Sequence, residues 1–272
     1  AKAPAIDFLA SATSDSASLG SAAGLKVPTG PAADLIVGFS ESDLLKVSGY
    51  VSISIADFLH VSGQFAFSKS GAPLTVKIAG SSSTKQVNVL TIGASDVNAF
   101  VGVGGPYFAD TNGDGIIDEN DTPQTGGAMG FVLRNLDFAL ALFKPVDTAN
   151  DKSSYYSISA SGGAEVVGID GITIRSNVLG VEINGGKTDT QPTVPAGTLV
   201  SGALDLANSP SLAANGGLIV DTGSDPDGAG DLPAPSIKLD FSAGVLRAFG
   251  NVTIIIDNFV YVSGNFEFVK SD

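Results

Sequence analysis

The sequence predicts an all-β protein, and three observations predict it. Apolar and polar residues alternate over short runs. In "LHVSGQFAFS", Leu59, Val61, Gly63, Phe65 and Phe67 fall on one side, and His60, Ser62, Gln64, Ala66 and Ser68 on the other. That is the period of a strand with one face buried, and the first set is the expected buried one. Thirty-four glycines, with many Ser and Thr, bound these runs as turns. No segment carries a capped helical period; "ESDLLKV" and the Ala-rich start are the only weak helix candidates.

In chain order, the strand-like runs are "GLKVPTG", "GYVSISI", "LHVSGQFAFS", "LTVKIAG", "VNVLTIG", "NAFVGVGG", "GFVLRNLDFALALF", "YYSISASG", "GITIRSNVLGVEING", "GLIVDTG" and "GNVTIII". Several share one plan: a glycine (Gly130, Gly171, Gly250), an alternating segment, a polar or Asn-containing step, then another alternating segment. About a dozen strands per unit are expected. Phe65, Phe67, Phe138 and Phe143 sit at strand spacing as core candidates.

The chain also repeats itself. "GYVSISIADFLHVSGQFAFSKS" from Gly49 and "GNVTIIIDNFVYVSGNFEFVKS" from Gly250 match at 12 of 22 positions, 201 residues apart. Upstream, "GLKVPTG" resembles "GLIVDTG" and "LIVGFS" resembles "IKLDFS". Residues 1–197 therefore read as one complete β unit, and 198–272 as the first third of a second copy. The expected architecture is an extended β-roll or solenoid-like tandem array of roughly 200-residue units. A β-sandwich with long loops is the alternative.

Composition removes several functions. There is no Cys, so no disulfide framework, thiolate metal site or Cys nucleophile. His60 is the single histidine, and Tyr261 stands at its place in the second copy. This leaves Ser-His-Asp catalysis and a zinc hydrolase without their residues, and His60 reads as a surface strand residue. The glycine-rich stretches "GVGGPYF" and "GGAMG" lack the lysine of a phosphate loop. A net charge of −14 argues against nucleic acid and anionic membranes as partners. No apolar run is long enough for a transmembrane helix. "AKAPAIDF" has no basic and apolar leader in this numbering, so an exported chain is expected here in processed form or as an internal piece.

The most specific motif is "DTNGDGIIDEND". Its spacing supplies oxygens at positions 1, 3, 5, 7, 9 and 12 of a calcium loop: Asp110, Asn112, Asp114, Ile116 through its carbonyl, Asp118 and Asp121. Gly115 takes the turn position and Ile117 the apolar plug. Calcium, a hard cation, suits this oxygen set, and the four carboxylates repel one another without it. An acidic turn held by Asx hydrogen bonds is the competing reading. The Asp-rich insert from Asp225 to Asp231 is a second, incomplete candidate.

The loop resembles the EF-hand-type calcium loop of dockerin repeats over a dozen residues, with strand-like flanks instead of helices. Repeat, composition and loop together resemble the tandem-repeat proteins that bacteria export to their surface, calcium-dependent adhesins and extracellular filaments among them. The resemblance implies a non-enzymatic structural or adhesive unit, extracellular and rigidified by calcium, whose partners are neighbouring copies of the repeat and cell-surface or matrix glycans. The alternative is a calcium-stabilised carbohydrate-binding β-module of an exported protein.

Overall fold

The structure, a computed structural model, describes residues 20–21, 24–30, 33–37 and 45–271 apart from 57, 119, 192–197, 225–233 and 258. The Ala-rich start and the insert Asp225–Asp231 lie outside the described residues.

The described chain is all-β, with one 3-10 turn at Pro210–Leu212. A small sheet holds β1 (Gly20–Ser21), β2 (Gly24–Gly30) and β3 (Ala33–Val37). Then come β4 (Leu45–Ile55), β5 (Leu59–Lys69), β6 (Leu74–Ile78), β7 (Thr84–Val103), β8 (Met129–Pro145), β9 (Ser154–Val167) and β10 (Ile172–Asp189). The remaining strands are β11 (Leu199–Ser201), β12 (Leu204–Asp205), β13 (Leu218–Asp221), β14 (Ser236–Leu239), β15 (Val245–Ile256) and β16 (Val260–Ser271).

The large sheet is an antiparallel meander in the order β4-β5-β7-β8-β9-β10-β15-β16 and is not closed into a barrel. Several strands are longer than the sequence predicts. "VNVLTIG" and "NAFVGVGG" are both parts of β7, which bends at Asp96. The polar steps mark the reason: β-bulges. The register shifts at Ser62/Gln64, Ala94/Val97, Arg134/Asp137 and Ser176/Leu179. Asp96 and Asn135 there take positive φ, a conformation Asp and Asn adopt more readily than other non-glycine residues.

Cross-strand register sorts the side chains onto two faces. One carries a row of Val47, Phe67, Ile92, Leu140, Ile158, Ile183 and Leu246. The other carries small and polar residues such as Ser62, Asn98, Ala66, Ala139, Ser157 and Asn184. The polar face is the covered one. Residues 104–118, 120–128, 203–224 and 234–241 lie over it, and β13 approaches so closely that a Cβ on Gly93 would sit 2.1 Å from the Asp221 carbonyl oxygen. The core forms there, from Val76, Val87, Phe143 and Tyr155 of the sheet against Leu204, Leu206, Val220 and Leu239 of the cover.

This reverses the expected burial in the first hairpin: Ser62 and Ala66 are only 3% and 4% exposed, whereas Phe65 and Phe67 are half-buried. In the second hairpin β16 is exposed on both faces, Phe266 and Phe268 at 44% and 57%. Alternation distinguishes two faces; which one is covered depends on the distant segments that pack there. Phe143 is core as predicted, while Phe65, Phe67 and Phe138 are half-buried on the open face.

Polar contacts fasten the cover. Asn184, fully buried, donates from Nδ2 to the carbonyls of Leu204 (2.7 Å) and Ala243 (2.8 Å) and accepts from Ser157 Oγ (2.7 Å). Lys77 meets Asp205 at 2.8 Å, tying β12 to β6. Burial pushes the Asp205 carboxyl up, but hydrogen bonds from Lys77 and Asn208 outweigh it and hold it below the usual range.

Candidate metal centre

The acidic loop belongs to the connection between β7 and β8, which folds back over the polar face. Its root is aromatic. Tyr107 is buried, stacked against Phe100 at 6.1 Å between ring centroids and edge-on to Phe108 at 5.0 Å. Arg134 lies over both rings and donates from Nη2 to Tyr107 Oη (2.7 Å) and Glu165 (2.8 Å). Ala128 and Val132 complete this small core. From the other side, the Ile117 amide donates to Tyr50 Oη of β4 at 2.7 Å, binding the loop to the repeated hairpin.

His60 belongs to this region and is not a solvent-facing strand residue. It is half-buried beside the Phe100 ring, its Nδ1 lies 3.0 Å from Ser54 Oγ, and its Nε2 is buried without a hydrogen-bond partner. Its repeat counterpart Tyr261 is 67% exposed.

Within the loop, the predicted residues close a single ring of backbone turns. Asp110 accepts from the amides of Gly113 (2.6 Å) and Gly115 (2.9 Å). Asn112 Oδ1 accepts from the Asp114 amide (2.9 Å), and Asp114 Oδ1 from the Ile116 amide (2.8 Å). Asp118 accepts from the Asn120 amide (2.8 Å). Asp121 joins the two ends: one oxygen accepts from the Thr111 amide (2.7 Å) and hydroxyl (3.0 Å), the other from the Asp118 amide (3.0 Å). Donation from the Asp118 amide, then from Thr111, holds the Asp121 carboxyl below its ordinary range.

Gly113 and Gly115 take φ of +82° and +86° with open space around them, so the turns need glycine for conformation and not for room. Head-to-tail closure by Asp121 is made through backbone hydrogen bonds of the kind an acidic Asx-bonded turn uses. Among the described residues, no three His, Asp or Glu side chains converge on one point as a cation cage. Both oxygens of Asp110 and of Asp121 accept backbone amides, and the donor set is of the hard-oxygen kind that calcium takes.

No protein-family model, no curated protein and no solved structure matches this chain. The reading of function therefore rests on the molecule itself.

Sequence reasoning missed Tyr50, Tyr107, Arg134 and Glu165, which seat the loop. A signal existed for Tyr50. Of the ten hairpin positions that differ between copies, Tyr50/Asn251 and His60/Tyr261 are two on the side that the loop covers in the first copy.

Beside the loop lies a cavity of about 400 Å³, bordered by Tyr50, Gln64, Asp96, Ile117, Asp118 and Ser224. Its lining mixes apolar side chains (Ile116, Ile117, Pro235) with polar ones, and it carries one tyrosine ring.

Proposed function

We propose that this chain is a non-enzymatic, sheet-building structural repeat of an exported bacterial surface protein of the adhesin or filament type. Copies join edge to edge into an extended β array, and the loop at 110–121 binds calcium and stiffens each unit.

One observation carries the reading: the repeated hairpin occurs twice with the same register but uses opposite edges. Leu45↔Lys69 and Ile55↔Leu59 in β4–β5 recur 201 residues later as Leu246↔Lys270 and Ile256↔Val260 in β15–β16. The first hairpin pairs through β5 with β7, and the second through β15 with β10. The free edge of β4 is thus the counterpart of an edge that meets a β10 strand, and that of β16 the counterpart of an edge that meets a β7 strand. A preceding copy supplies the first and a following copy the second. The row through Val47 and Phe67 emerges at Leu246 and Lys270, the counterparts of Leu45 and Lys69. A slip of about two residues over six strands is far below the stagger that closes a small barrel, and it suits an open, level array.

The cover follows the same plan. Leu25↔Val37 in β2–β3 corresponds to Leu218↔Leu239 in β13–β14. Since β13–β14 lies on the sheet of the unit before it, β2–β3 is suited to lie on the sheet of a preceding copy.

The test is a chain lengthened after Ser271 by a second run of residues 71–197. Cys at position 268 and at position 92 of the added run are direct neighbours if the array forms, because Phe67 faces Ile92. Rapid, complete disulfide formation is expected; none would refute edge-to-edge growth. For calcium, titration of the wild-type chain against Asp110→Ala/Asp121→Ala should give one site that the variant loses; equal heats in both sink the calcium assignment.

The cavity beside the loop favours a second reading, a calcium-stabilised carbohydrate-binding module. Glycan-array binding that Tyr50→Ala abolishes would support it.

A further inference from the structure

We infer that the open apolar face of the sheet seats on the hydrocarbon of a lipid layer, with a row of lysines along one margin reaching the headgroup phosphates. Exposed side chains on this face include Val101, Phe131, Leu142, Ile174, Val181 and Leu246, contributed by β7, β8, β10 and β15. From Leu59 to Lys69 the face runs about 33 Å along a strand, and its eight strands span about 34 Å. That is a footprint of roughly 1,100 Å², beyond the few hundred Å² of contiguous apolar surface that a soluble monomer tolerates.

Charge identifies the occupant. The strand carboxylates Asp137, Glu165, Glu182 and Glu267 alternate onto the covered side, where Glu165 pairs with Arg134, and Glu182 and Glu267 with Arg247. Asp189 and Asp205 alternate the other way but are buried and already held, Asp189 by the Lys152 and Gln191 amides and Asp205 by Lys77. The charges on the apolar face are Lys69, Lys144, Lys187 and Lys270, in register with it and gathered at the same end of β5, β8, β10 and β16. None of the four has an ion pair among the described residues. At the opposite end, the hairpin tips carry Phe58 and its repeat counterpart Phe259, which is 90% exposed. Lysine stems that lie on apolar surface with their ammonium groups beyond it, and exposed aromatics at the far margin, are what a hydrocarbon–headgroup boundary accommodates. A second copy laid on this face would bring the same lysines and no exposed strand carboxylate to meet them. The net charge of −14 argues against an anionic surface only if charge is spread evenly, and here Asp137, Glu165, Glu182 and Glu267 lie on the other side of the sheet.

Flotation of the full chain with phosphatidylcholine vesicles, with and without 30% phosphatidylglycerol, tests the inference. The wild-type chain should float with both and bind the anionic vesicles more tightly. Val101→Asp/Phe131→Asp should weaken binding at least tenfold. Ile219→Asp, an equally open position on β13 of the cover, should not. Replacing the four lysines with Gln should remove the anionic preference. The chain has no Trp, so Phe131→Trp reports contact directly: brominated acyl chains should quench it and leave Ile219→Trp unquenched. A wild-type chain that stays with the buffer overturns the inference, as does flotation indifferent to Val101→Asp/Phe131→Asp. A dimer that the double variant dissociates, without vesicle binding, assigns the face to a second copy. A single chain is what floats, so failure of the lengthened chain to cross-link leaves this inference intact.

Discussion

The two faces of the large sheet come from the same strands and obey opposite rules. The covered face is built from Ser, Ala, Asn and Gly with a few large residues, and it is the dry one. The open face is built from Val, Ile, Leu and Phe, and it is wet. Small side chains let the covering segments come close enough for backbone contact, as at Gly93, and their hydrogen-bonding groups meet partners such as Asn184. Hydropathy alone assigns the core to the wrong side. What buries a surface is the presence of a complementary layer, and in this chain that layer lies on the polar face.

The sharpest way to break this comparison uses two phenylalanines of one strand. Phe143 and Phe138 of β8 point to opposite faces, the first fully buried and the second half-buried. Phe143→Ala should cost about 3–5 kcal/mol through the cavity it leaves. Phe138→Ala should cost less, about 1–2 kcal/mol, because part of its surface stays in water and its loss leaves an open notch instead of an enclosed cavity. Urea unfolding of both variants measures the difference; equal losses would mean that the open face is covered in solution. Next in size is Asn184→Ala. It removes three hydrogen bonds from a site without water access and should cost about 3 kcal/mol. Asn265→Ala, on the same side but in the uncovered hairpin, should fall within about 0.5 kcal/mol of wild type.

Much of this was legible in the sequence. Alternation gave the strands, and the Asn-containing steps were bulges: Asn135 with positive φ, and Asn177 beside the shift in β10. The spacing from Asp110 to Asp121 anticipated a loop closed on itself. Two things were out of reach. Covering residues can lie more than 100 positions from strands they meet, as Asp221 does from Lys46 (221 − 46 = 175), and no local pattern encodes so distant a contact. The anchors of the loop, Tyr50 above all, are single residues whose role appears only once β4 and the loop are juxtaposed.

The smallest expected effect concerns that loop, and it separates closure by hydrogen bonds from closure by a cation. In the folded chain the Asp121 carboxyl lies below the ordinary aspartate value, chiefly through the Asp118 and Thr111 amides. A group depressed by folding adds stability above its unfolded value and loses it as pH falls through the folded one. Hydrogen-exchange protection of the Thr111 and Asn112 amides, corrected for intrinsic rates, should therefore be level from neutral pH down to about 4 and fall below it. Asp121→Asn cannot titrate, so its weaker protection should no longer vary with pH. A loss of protection centred above pH 5 would mean that other groups hold the loop closed. With calcium bound, the wild-type transition should move still lower, because the cation competes with the proton for the same oxygens. A transition indifferent to added calcium would leave the loop as an Asx-bonded turn, and the stiffness of the unit would then rest on the aromatic root around Tyr107.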